Sequence, residues 1–214
     1  MPHSALERLQ QDHRQIETLL NVLEHQIAAV DRGDRPDYAL MYQVMHYLTY
    51  YPDRYHHVFE DLLFERLVSR RTDLKPVIDT LAGQHETMTN QGVQLRSLLE
   101  SVLNDLPVAR PDLVRQGDAY LTAYRQHLEC EETDVFPALI DSLMQSDWMT
   151  LLTRFEWRAD PLFAAQADRE YDLLVETLQA MGADPTLLQE QYESTCPACS
   201  GDGRRLMPRG GVTD

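Results

Sequence analysis

At 214 residues, with 43% hydrophobic and 25% charged side chains, the chain has a globular composition and is long enough for one domain with a sizeable core, or one domain and an appendage. Its net charge of −16, from 19 basic and 35 acidic residues, repels phosphate backbones and argues against a nucleic-acid partner. No apolar run approaches the roughly 18 residues of a membrane span, and the polar start MPHSALERLQQDHRQ lacks the basic and apolar regions of a signal peptide, so a soluble cytoplasmic protein with no membrane partner is expected.

The first element predicted is a helix over residues 4–31, with Ser4 and Glu7 spaced as a capping box and an apolar stripe of Leu6, Leu9, Ile16, Leu19, Leu20, Leu23 and Ile27. DRGDRPD breaks it. A second helical segment runs from Asp37 to about Arg70, with Pro52 inside it to kink or interrupt the winding just before His56. A third runs from about Thr72, a candidate N-cap, to Asn104, and LPVARPD ends it. A fourth spans about Pro111 to Gln145. Only 9 glycines occur, and no stretch alternates as a strand would. The class is therefore all-α, an up-down-up-down four-helix bundle over residues 1–146. Further helices are expected at 148–158, 162–181 and 185–193, an extension over 147–193. Its Leu162, Phe163, Tyr171, Leu173, Leu174, Val175 and Leu178 could cover one end of the bundle or form a homodimer surface. The tail from 194 to 214 reads as irregular.

Of the eight histidines, four fall one per long segment on or beside its apolar stripe: His13, His56, His85 and His127. Segments two and four repeat one arrangement. YHHVFE places Glu60 four residues after His56, and HLECE places Glu131 four after His127, on the same helix face. The order is H, HxxxE, H, HxxxE. Any one buried histidine is ordinarily a packed, hydrogen-bonded residue. Four imidazoles and two carboxylates in one bundle core are costly unless something compensates them, and divalent cations do so. These donors suit iron, manganese or zinc. Carboxylates one turn from histidines on two separate helices are placed to bridge a pair of ions, as four-helix bundles do with inward-facing side chains.

With those residues in view, the chain resembles the hemerythrin-like, HHE cation-binding family. The matching stretches are His13 in QDHRQIE, His56 and Glu60 in YYPDRYHHVFEDLLFERL, His85 in GQHETM, and His127 and Glu131 in YRQHLECEETDVFPAL, and the likeness covers about residues 4–145. It implies a non-haem centre of two Fe ions with bridging Glu60 and Glu131, His13 and His56 serving one iron, His85 and His127 the other. Oxygen carriers of the family have a further histidine four residues after the third-helix ligand, where this chain has Thr89. The resulting ligand set is similar to that of bacterial di-iron proteins linked to nitric oxide response and iron–sulfur repair, although their short cysteine-bearing N-terminal domain is missing. By ligand counting, both irons would then keep a position open to an exogenous ligand.

His57 adjoins His56 but should point about 100° around an α-helix, to the surface or behind the ligands. Glu132 competes with Glu131, and the repeated spacing favours Glu131. His3, His25 and His46 have no partner spacing and are not expected to be ligands. Tyr120 and Tyr124 precede His127 on nearly its face, as packing residues with phenol hydrogen bonds or as a gate. Cys130 reads as a packed thiol. CPACSGDG matches CxxCxGxG and looks like one copy of a zinc-binding repeat, but four ligands are needed. Cys196 and Cys199 could therefore share zinc between chains of a dimer, form a reversible disulfide, make an iron–sulfur-related contact, or belong to a plain tail. The functions in view are binding or sensing of O2, NO or iron, a di-iron enzyme (peroxidase, NO reductase or repair activity), and a zinc protein whose site only staples helices.

Overall fold

In a computed structural model the protein is described over residues 2–163 and 167–181, without the side chains of 2–4. All its regular structure there is helical. Helix α1 spans Pro2–Arg32, α2 Tyr38–Leu48, α3 His57–Arg70, α4 Lys75–Leu103, α5 Arg110–Cys130, α6 Phe136–Ser142, α7 Gln145–Arg154 and α8 Asp172–Ala180. Alpha helix gives way to π-helical turns at Pro52–His56, leading into α3, and Glu131–Val135, joining α5 to α6. The four rods of the bundle are thus α1, α2 continued by α3, α4, and α5 continued by α6.

Local chemistry accounts for several boundaries. Asp37 caps α2 by accepting from the Leu40 N–H at 2.9 Å. Gly33 takes φ +79° just beyond α1, a left-handed conformation that costs glycine little. Helix α1 begins at Pro2, so Ser4 lies inside it rather than at its cap. Thr72 forms no side-chain cap either. It opens a short 3-10 turn, Thr72–Leu74, that feeds α4. Pro52 lies in the first turn of a new helical run after the break at Thr49–Tyr50, where its missing N–H leaves no bond unmade. Pro137 has no N–H to offer Thr133 and would crowd its carbonyl. The wide turn Glu131–Val135 just before it, closed by Phe136 N–H to Glu131 O, accommodates this.

The apolar core divides along the bundle axis. One cluster joins Ile16 to Val30 of α1 with Val44, Leu48, Leu95, Leu99 and Leu121. The other joins Leu6 and Leu9 with Phe59, Leu63, Leu81, Phe136 and Leu139. In chain order, every rod passes from one cluster to the other through a few buried polar residues: Asp12 and His13; His56, His57 and Glu60; His85; His127 and Glu131. The bundle therefore carries a polar layer between two oily ends.

The segment after Ser142 covers the bundle rather than leaving apolar surface bare. Trp148 and Leu151 of α7 pack on the second cluster. Leu162, Phe163, Tyr171, Leu174 and Leu178 pack on the first, each burial contributing on the order of 1.5–3 kcal/mol. The helices expected at 148–158 and 162–181 are shorter. α7 ends at Arg154, and α8 starts only at Asp172 after a 3-10 turn. Asp160 is the physical reason. Its Oδ1 accepts the N–H groups of Leu162 and Phe163 at 2.8 and 2.7 Å, and its Oδ2 accepts the Tyr47 hydroxyl at 2.7 Å, fixing residues 161–163 in a turn rather than a helix. The helix expected at 185–193 and the 194–214 tail, with Cys196 and Cys199, lie outside the described residues. No described helix is long and apolar enough to cross a membrane.

Candidate metal centre

The polar layer brings together all six residues of the H, HxxxE, H, HxxxE pattern: His13 from α1, His56 from the first π turn, Glu60 from α3, His85 from α4, His127 from α5, and Glu131 from the second π turn. The helical i, i+4 pairs meet directly, His56 Nε2 lying 3.1 Å from Glu60 Oε1 and His127 Nε2 3.1 Å from Glu131 Oε1. Each glutamate also faces histidines of other rods. Glu60 lies 3.3 Å from His13 Nε2 and 3.6 Å from His85 Nε2. Glu131 lies 3.4 Å and 3.7 Å from the same two atoms. Both carboxylates are fully buried and central. Glu132, the competitor of Glu131, is instead half-exposed, at 46% of its side chain.

A second ring of residues orients the imidazoles. His13 Nδ1 faces Glu132 at 3.0 Å, His56 Nδ1 faces Asp12 at 3.1 Å, His85 Nδ1 faces Asp61 at 3.0 Å, and His127 Nδ1 faces Gln84 Oε1 at 3.1 Å. An ionised carboxylate only accepts, so Nδ1 carries a proton and Nε2 is the nitrogen turned toward the centre, free to meet a cation once any proton on it leaves. The spacing motif did not contain these four partners. Asp12 and Asp61 adjoin proposed ligands in sequence, and that adjacency was the available signal.

The centre is under-satisfied by protein groups alone. His56 Nε2, Glu60 Oε2 and both oxygens of Glu131 are buried without a hydrogen-bond partner. Buried polar atoms left this way cost free energy unless something else meets them. Burial disfavours the Glu60 carboxylate's charge, but His56 and His13 outweigh it and hold the carboxyl well below its usual range. Glu131 is likewise lowered, with burial and Glu60 opposing and His127 and His85 favouring ionisation. In turn burial lowers the imidazoles, but the carboxylates win at His56, pushed up to about 10 by Glu60 and Asp12, and at His85, pushed up to about 9 by Asp61 and Glu131. Protons on the rings thus supply the positive charge the carboxylates require. A cation bound to the same nitrogens supplies it in their place and must release those protons. The donor set and its orphaned atoms fit a metal.

Of the two places expected for His57, the structure excludes the surface: it is 3% exposed, and its ring stacks on His85 with centroids 4.3 Å apart. The 100° argument assumed α-helical winding. The π turn that ends at His56 fits more residues into a turn, so both neighbouring histidines reach the core. His57, Glu60, His85 and His127 each offer one ligand atom, all within 4.8 Å of one another, as do His13, His56 and Glu60. Glu60 belongs to both groups.

The remaining expected residues fall away from the centre or line it. His25 is exposed, His46 pairs with the Tyr171 hydroxyl at 3.0 Å, and the side chain of His3 lies outside the described residues. Tyr120 and Tyr124 are buried against each other, and the Tyr124 hydroxyl lies 3.3 Å from His57 Nε2. Cys130 packs partly buried beside the second cluster, and burial with Asp134 nearby pushes its thiol up. Comparison with curated proteins and with solved structures gives no match. A family model, described as the hemerythrin HHE cation-binding domain, matches residues 4–139, more than half of the chain. The chain therefore belongs to the hemerythrin HHE cation-binding domain family, and the histidines and glutamates of its buried layer form groups that could hold a cation.

Proposed function

We propose that the chain holds two iron ions in this layer and uses them to bind a small diatomic molecule, O2 or NO. The observation that carries the proposal is the sharing of Glu60 between two buried histidine groups, which suits a carboxylate bridging two cations rather than one. His13 and His56 would serve one ion, His85 and His127 the other, with Glu131 as the second bridge. Iron bound there would supply open coordination positions and reversible one-electron chemistry. The protein's part is to orient and exclude. Asp12, Asp61, Glu132 and Gln84 hold four imidazoles with Nε2 inward, and the apolar clusters on either side keep bulk water out. A surface hollow lined by His13, Arg14, Glu17, Arg125, Leu128 and Glu132 reaches one edge of the layer and offers a small molecule its approach.

Histidine-rich ligation favours binding over O2-cleaving oxidation, which the more carboxylate-rich bundle sites perform. The test is to expose the anaerobic ferrous protein to NO and to O2. A new absorption band that disappears when the gas is removed supports ligand binding. Rapid irreversible oxidation with consumption of added peroxide points to an enzyme instead, and no spectral response to either gas refutes the proposal.

A further inference from the structure

Among the buried groups beyond the six-residue pattern, His57 is the one whose environment copies that of the proposed ligands. Each of those four histidines has Nδ1 against an oxygen acceptor and its other nitrogen toward the layer. For His57 the nearest such oxygen is on Asp53, one helical turn earlier, with Oδ1 3.2 Å from Nδ1 but out of hydrogen-bond alignment. Asp53 is itself largely buried, and its Oδ2 has no hydrogen-bond partner. The ring is flanked on one face by His85, at 15° between planes, and meets His127 edge-on at a centroid distance of 5.9 Å.

A bystander imidazole is a poor occupant of such a place. Buried among other histidines, it adds a polar ring to a region already short of hydrogen-bond partners, and its Nδ1 is itself without a well-aligned partner. Apolar packing is available close by, since Phe59 and Leu63 of the same helix are fully buried in the second cluster. One ring nitrogen of His57 lies within 4.8 Å of donor atoms on Glu60, His85 and His127, close enough for all four residues to meet a common cation, whereas the protein itself offers its Nε2 only the Tyr124 hydroxyl at 3.3 Å.

We infer that His57 is a fifth imidazole ligand of the centre, making the two metal positions unequal: His57, His85 and His127 on one, His13 and His56 on the other. This rests on the reading of the layer as a metal centre. It also revises the ligand counting made from the sequence. Thr89 does not leave an extra position open on both metals, because the imidazole comes from α3. The Tyr124 hydroxyl, 3.3 Å from His57 Nε2, then stands beside the three-histidine metal.

The experiment uses Co2+ as the probe, because it is paramagnetic and independent of which metal the cell supplies. Metal-free full-length protein is titrated with Co2+, and the strongly shifted, exchangeable ring N–H signals of the bound imidazoles are counted by proton NMR. Five such signals in the parent protein are expected. The variant His57→Gln should show four, with the affinity of one of its two cobalt positions lowered by about tenfold or more. Four signals in the parent overturn the assignment of His57 while leaving the two-metal reading intact, and that count decides the matter even if the variant does not fold. Failure of the parent to bind cobalt sinks the reading of the layer itself, and His57 with it.

Discussion

Glu60 is the residue on which the two halves of the centre depend. It is within 3.3 Å of His13 Nε2 and 3.1 Å of His56 Nε2, and it also faces His85. Replacing it by alanine should strip both metals, measured as metal retained per chain after dialysis. Glu132→Ala should keep them, because Glu132 touches only the outer nitrogen of His13 and is half-exposed. Equal metal content in these two variants would contradict the bridging role. Asp12 acts one bond further out, between His56 Nδ1 and Arg8. Asp12→Asn should weaken metal binding roughly 10–100-fold without unfolding the chain, as losses of such orienting partners do elsewhere. An unchanged affinity in a calorimetric titration would show that His56 needs no such support. At this scale the sequence was readable where ligands repeat a spacing. His57 was not, because its inward direction depends on a π turn that no residue-type rule announces.

The elements behave differently at the two ends of the chain. The long helices carry apolar stripes that match their period, so their existence was legible from residues such as Leu19, Leu23, Leu95 and Leu99. The strap after α7 was not. Leu162 and Phe163 read as the start of a helix, yet Asp160 captures their N–H groups and holds residues 161–163 in a turn. Burial raises the Asp160 carboxyl to about 6, more than its three hydrogen bonds can offset, against a reference of 3.8. Between those values the folded chain binds more protons than the unfolded one. Stability contributed by the protonated group is therefore full below about pH 4, falls as pH rises to about 6, and is flat above. The change should be on the order of 2–3 kcal/mol. In chelator-treated protein, Asp160→Asn should remove this slope, narrowing the difference in urea midpoint between pH 4.5 and 7. A variant whose slope matches the parent's would show that Asp160 is charged throughout.

The whole molecule is two hydrophobic cores separated by a charged layer, an arrangement that is hard to hold together with protein groups alone. Imidazolium–carboxylate contacts there compensate one another only partly, as the orphaned oxygens of Glu60 and Glu131 show. A cation that binds only the folded layer stabilises it by mass action, by about 4 kcal/mol for a site at a thousand times its Kd. Removal of metal by chelation should therefore lower the thermal midpoint by several degrees, and re-addition should restore it, as followed by circular dichroism. An insensitive midpoint would mean that the layer is stable without a cation. The bundle and the layer's location could be read from the sequence, because one histidine per rod at matching heights requires the rods to align. The proposal of a two-metal centre rests on geometry, on Glu60 standing in both histidine groups. The most direct test is an anaerobic titration of metal-free protein with Fe2+, followed by metal analysis of the desalted product. About two irons per chain are expected, in line with dinuclear bundle centres. A single bound ion, or zinc retained with no iron taken up, would contradict the account.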